Sequence, residues 1–122
     1  MAGQTYRDLL IWQKAMNLVT ILYKLTASFP DDEKFGLTSQ MRRAAVSVPS
    51  NIAEGYGRSS KNDFDRFLHF SLSSLYELET QLQIACNLNY IDNNKTEDAY
   101  SLCHELERML NSFIKTVQAK KK

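Results

Sequence analysis

Apolar positions recur along this chain at helical spacing in four segments, and nowhere with the strict alternation of a half-buried strand. The first segment runs from Tyr6 to Ala27 and carries two neighbouring stripes, Leu9, Trp12, Met16, Val19 and Tyr23 beside Ile11, Ala15, Leu18, Leu22 and Leu25. The second runs from Gly36 to Arg58. The third repeats apolar or small residues in alternating steps of four and three: Phe64, Leu68, Ser71, Leu75, Leu78, Leu82 and Ala85. Such a pattern belongs to helices packed nearly antiparallel. The fourth reaches about Val117, with Ala99, Leu102, Cys103, Leu106, Met109, Leu110 and Phe113 inward. Pro30 closes the first segment, and Asp31 to Glu33 place negative charge before the positive end of the second. Gly55-Tyr56-Gly57 reads as a helix stop in the left-handed conformation. Ser60-x-x-Asp63 and Asn94-x-x-Glu97 read as caps opening the third and fourth helices, with a turn between Asn87 and Asn94. The expectation is all-α: an antiparallel up-down-up-down four-helix bundle, one domain over residues 1–122, with a frayed basic tail at 118–122.

The second segment holds more than a core-facing stripe. Leu37, Met41, Ala44, Ala45, Val48 and Ile52 form one apolar face, and Val46, Pro49, Ala53 and Tyr56 a second. Between them runs a polar row, Gln40, Arg43, Ser47, Asn51, Glu54 and Arg58. A bundle helix needs one buried face. A second apolar face predicts a second partner, and Val46, Pro49, Ala53 and Tyr56 are the expected subunit contact. The polar row Gln40, Arg43, Ser47, Asn51 and Glu54 reads either as a hydrogen-bonded network fixing register or subunit geometry, or as part of a contact surface. Pro49 removes the bond to the Ala45 carbonyl and predicts a kink. The kink either wraps the helix around its neighbours or aims Asn51 and Glu54 at a site.

Charge changes the picture only locally. Fifteen basic side chains balance fourteen acidic ones over 122 residues, which argues against a protein that is basic all over. From Lys34 to Lys61, however, Lys34, Arg42, Arg43, Arg58 and Lys61 face only Glu54. Arg42, Arg43, Arg58, Lys61 and Arg66 are therefore the candidate phosphate contacts for RNA or DNA. No stretch has the form of a signal peptide or a membrane span, so the expected location is the cytoplasm, with no membrane partner. Cys86 and Cys103 are too few for a disulfide framework and are expected reduced and mostly buried between the third and fourth helices. His69 and His104 fall about 20 Å apart along a paired third and fourth helix, at about 1.5 Å per residue. They read as surface histidines. A di-iron bundle would need Glu-x-x-His, which is absent, and no phosphate loop or activated nucleophile appears. The expectation is a non-enzyme without cofactor, metal or small-molecule substrate.

The chain also resembles the four-helix-bundle proteins encoded in intervening sequences of bacterial 23S rRNA genes. The resemblance is carried by Tyr6, Leu9, Trp12, Lys14 and Ala15, by Phe29-Pro30 and Glu33, and by Leu37, Ser39, Gln40, Arg42, Arg43, Ala44 and Ala45. It is most specific at Ser47, Pro49, Asn51, Ile52, Ala53, Glu54, Gly55 and Arg58. It continues through Phe67, Leu68, Ser74, Leu75, Glu77 and Leu78 to Tyr90-Ile91. More distantly the chain is similar to accessory proteins of diversity-generating retroelements, which are more basic. The resemblance implies a bundle that closes into a ring of five subunits, in a family with no assigned biochemical role. Two functions remain open: a homo-oligomer associated with ribosomal RNA or another nucleic acid, and a ring-shaped protein–protein scaffold that binds none.

Overall fold

The structure is a computed structural model and describes residues 4–120. Four long helices account for most of the chain: α1 Leu10–Thr26, α2 Leu37–Tyr56, α3 Lys61–Asn87 and α4 Asn93–Ala119. Each packs on its neighbour in sequence, and α1 also packs on α4, so the helices close a square. The pairings run antiparallel, as Ser47 beside Ser74 and Gly55 beside Phe67 show for α2 and α3. This is the expected up-down bundle. The fully buried side chains Leu18, Leu22, Met41, Val48, Ile52, Leu68, Leu75, Leu78, Leu82, Leu106 and Leu110 form one core drawn from all four helices. No helix among the described residues is long and apolar enough to cross a membrane.

The helix boundaries differ from expectation where local polar chemistry intervenes. Thr5 and Asp8 form a reciprocal cap that closes a separate 3-10 turn, Tyr6–Asp8. Leu9 is then extended, and α1 starts only at Leu10. Pro30 leads into a second 3-10 turn, Asp31–Glu33, whose Glu33 carboxylate accepts from the Leu37 amide at 3.0 Å and from the Tyr90 hydroxyl at 2.8 Å. Those two bonds, the amide first, hold the Glu33 carboxyl below its ordinary range. Ser60 caps α3 as expected, accepting from the Asp63 amide. Asn94 does not cap α4: it lies inside the helix, whose first flanking residue is Asp92. The α3–α4 turn is set by Asn89, at φ 62°, with Tyr90 N–H donating to Ala85 and Asn89 N–H to Cys86. This is a Schellman stop with asparagine in the left-handed position. α4 continues to Ala119, and the last two residues of the basic tail lie outside the described residues.

Gly55 and Gly57 also play other parts than a left-handed stop. Gly57 has φ −79°, in the ordinary helical region. Gly55 is buried inside α2, where a Cβ would sit 2.8 Å from Phe67 Cβ and 2.9 Å from Phe64 Cδ1. It is a close-approach glycine that lets α2 and α3 pack. Pro49 is buried within an uninterrupted α2. The carbonyl of Val48, on the same peptide bond, accepts from buried Ser71 Oγ at 2.8 Å. Cys103 is fully buried and Cys86 half-buried, and both are free thiols.

Candidate functional site

The second apolar face of α2 does not lie flat on the bundle surface. Val46, Pro49 and Ala53, with Ser50, form one wall of a crevice whose other wall is Tyr6, Trp12, Met16 and Val19. Its volume is about 360 Å³. Within that wall Tyr6 stands edge-on to Trp12, at 5.2 Å between ring centres. Val46 and Met16 remain 39% and 42% exposed, too open for core positions. Tyr56 is not part of the crevice lining: its ring meets Phe64 on α3, edge-on at 6.2 Å. A larger apolar groove, about 710 Å³, lies on the other side of α1, where Leu10 faces Met109, Phe113 and Val117 of α4. Leu10 is 56% exposed there. The sequence pattern showed two apolar stripes on α1 but did not point to this groove.

The polar row on α2 separates into three parts. Asn51 Nδ2 donates to the Ser47 carbonyl and to Ser47 Oγ, each at 2.8 Å, and Ser47 Oγ lies 2.8 Å from Ser74 Oγ on α3. Ser74 Oγ in turn donates to the Phe70 carbonyl. This chain of bonds ties α2 to α3 through small side chains. Gln40 and Arg43 line a shallow polar depression with Ser47 and Glu77. Glu54 pairs with Arg58, the last member of the row, at 2.9 Å.

The candidate phosphate contacts are likewise dispersed. Arg42 Nε donates to Thr26 Oγ1 at 2.8 Å, and its guanidinium lies 4.4 Å from the Tyr23 ring centre. Its Nη2 reaches the Tyr23 carbonyl, so Arg42 fastens the C-terminal turn of α1. Lys61 donates to the Lys120 carbonyl at the far end of the bundle. Arg58 and Arg66 come together: both guanidinium groups stack over Phe67, and Arg66 also over Phe70. Arg66 pairs with Asp63 at 3.3 Å. Arg43 is exposed. Only Arg58 and Arg66 of the five form a cluster, and it is one of cations interleaved with aromatic rings.

One polar cluster escaped the sequence reading. His104 Nε2 on α4 lies 3.2 Å from Glu79 Oε1 on α3, and Glu107 stands one turn along α4 from His104. The second oxygens, Glu79 Oε2 and Glu107 Oε2, are out of contact with water and have no hydrogen-bond donor. Burial pushes the Glu107 carboxyl up to about 7; the close approach of the Glu79 carboxylate and its charge act in the same direction, against His104 and Arg108. The signal was present as His104-x-x-Glu107, which sets both side chains on one face of a helix. Finding its third member required the α3–α4 register, which places His104 at Glu79. His69 stays apart, exposed beside Asp65 on its own helix.

A family model for the 23S rRNA-intervening sequence proteins matches residues 7–112. A crystal structure from Bacteroides thetaiotaomicron, of a protein of unknown function in the S23 ribosomal protein family, superposes with a TM-score of 0.78 at 24% identity. The match covers 87% of this chain and 99% of that one, and shows that the two share a fold. No curated protein matches significantly.

Proposed function

We propose that this chain, which belongs to the 23S rRNA-intervening sequence protein family, is a non-enzymatic cytoplasmic protein that works as a closed homo-oligomer. The observation that carries this reading is uncovered apolar surface on both sides of α1: the crevice with α2 and the groove with α4. A ring needs two different complementary patches on every subunit, unlike a two-fold dimer, which needs one. Two separate apolar patches meet that requirement. Covering them stabilises the assembly by about 25 cal/mol per Å² of apolar area. The resemblance in sequence implies five subunits. The Ser47–Asn51–Ser74 chain stiffens the α2–α3 pair beside the crevice, so the contact surface is presented in one geometry.

The test is light scattering at micromolar concentration. The expected mass is five chains of 14.1 kDa each. Val46→Glu places a charge in the crevice wall and is expected to yield folded, helical monomers. A monomeric mass for the unaltered protein overturns the proposal.

A second reading, RNA association, rests on Arg58 and Arg66 over Phe67 and Phe70, since single-stranded nucleic acid is held by cations and stacking rings together. Its discriminating property is salt dependence. Phosphate contacts weaken steeply between about 50 and 200 mM salt. Binding that does so, and that falls in an Arg58→Ala, Arg66→Ala variant, supports it. Absence of binding at low salt leaves the protein a scaffold.

A further inference from the structure

We propose that Glu79, His104 and Glu107 bind one divalent transition-metal ion between α3 and α4, with zinc as the reference ion. Among the described residues these side chains form a group whose ligand atoms all lie within 4.8 Å of one another. They come from two helices, so the geometry is set by bundle packing and not by a flexible loop.

Two observations point to a cation. The first is the donor set. One imidazole and two carboxylates suit zinc and its first-row neighbours; magnesium and calcium take oxygen only. At metal–ligand distances of about 2.0–2.1 Å, neighbouring ligands of a tetrahedral ion stand roughly 3.3 Å apart. His104 Nε2 and Glu79 Oε1 already stand 3.2 Å apart. The second is the pair of orphan oxygens, Glu79 Oε2 and Glu107 Oε2, dry and without donors. Two facing carboxylates in that state repel and are poorly solvated. A shared proton or a shared metal relieves them, and only a metal also uses the adjoining imidazole as a ligand. Arg108 flanks the cluster, and buried Cys103 lies close enough to feel both carboxylates.

His104 is 55% exposed and Glu79 21%, so the ion would enter from solvent and keep a coordination position open toward it. With three protein donors and one open position the site matches the zinc arrangement that retains water or accepts a further ligand. It would also staple the C-terminal third of α3 to the middle of α4.

The experiment is titration of the apo protein, made without a histidine tag, with zinc alone against a chelating indicator dye. It is repeated with cobalt to read the coordination spectrum. One ion per chain is expected, with micromolar or tighter affinity, and a thermal midpoint that rises with zinc concentration. His104→Ala and Glu107→Gln should each weaken binding at least tenfold while circular dichroism remains helical. His69→Ala and Cys86→Ser should leave it unchanged. No binding at tens of micromolar zinc overturns the proposal and leaves the carboxylates sharing a proton. Binding insensitive to Glu107→Gln, or lost in Cys86→Ser, also overturns it.

Discussion

Gly55 offers a test in which two well-understood effects oppose each other. In an exposed helix interior, glycine to alanine stabilises by about 1 kcal/mol, because alanine restricts the unfolded chain and suits the helix. At Gly55 the added Cβ would lie 2.8 Å from Phe67 Cβ, 2.9 Å from Phe64 Cδ1 and 3.4 Å from the Phe64 carbonyl oxygen. Phe67 Cβ is fixed to the α3 backbone, so no rotamer change removes that contact and the helices must separate. Overpacking of this kind costs roughly 1–3 kcal/mol or more. Because α2 and α3 are also joined by Ser47–Ser74 and by Ser71 to Val48, separation strains those bonds as well. Gly55→Ala is therefore expected to destabilise by about 1–2 kcal/mol net, lowering the thermal midpoint by roughly 4–8 °C. Gly57→Ala is the matched control. Its backbone is at φ −79°, and its Cβ would meet only carbonyl oxygens at 3.7 and 3.8 Å. That variant should be neutral or stabilised by up to about 1 kcal/mol. Both are measured by urea denaturation at one fixed protein concentration, since assembly couples to stability. A Gly55→Ala protein as stable as its parent would refute the close-approach assignment.

The two cysteines should separate by reactivity: burial pushes the Cys103 thiol up to about 12, so a bulky thiol reagent at neutral pH should label half-buried Cys86 first and Cys103 only on unfolding. Equal, rapid labelling of both would contradict the packing between α3 and α4. Glu33 should shape the acid limb of stability. Its carboxyl is lowered in the folded state by the Leu37 amide and the Tyr90 hydroxyl, so its contribution is complete above the unfolded value of about 4.3 and lost as pH falls through the lower folded value. Glu33→Gln should accordingly be less stable than the parent at neutral pH, with the gap closing in acid; a gap independent of pH would refute this.

The helical period of Leu68, Leu75, Leu78 and Leu82, and the matching run on α4, determined the bundle before any coordinates, because apolar spacing alone decides which face a helix buries. That Val46, Pro49 and Ala53 form a second apolar face of α2 was legible for the same reason; that α1 packs against part of it and leaves Pro49 buried was not. Local polar geometry was less so. Thr5 and Asp8 split a turn from α1, and Asn89 rather than a glycine took the left-handed position, since competing short-range hydrogen bonds differ by little energy. Tertiary structure alone decided what depends on register between helices. It set Gly55 against Phe67 as a spacer where sequence suggested a stop. It dispersed a row of basic residues into separate pairings, because an arginine's partners lie on whichever helix packs beside it. It also brought Glu79 to His104 and Glu107 across the α3–α4 interface. A period identifies a face, but a shift of one turn changes every cross-helix neighbour, and that shift is selected by the close packing of the whole core.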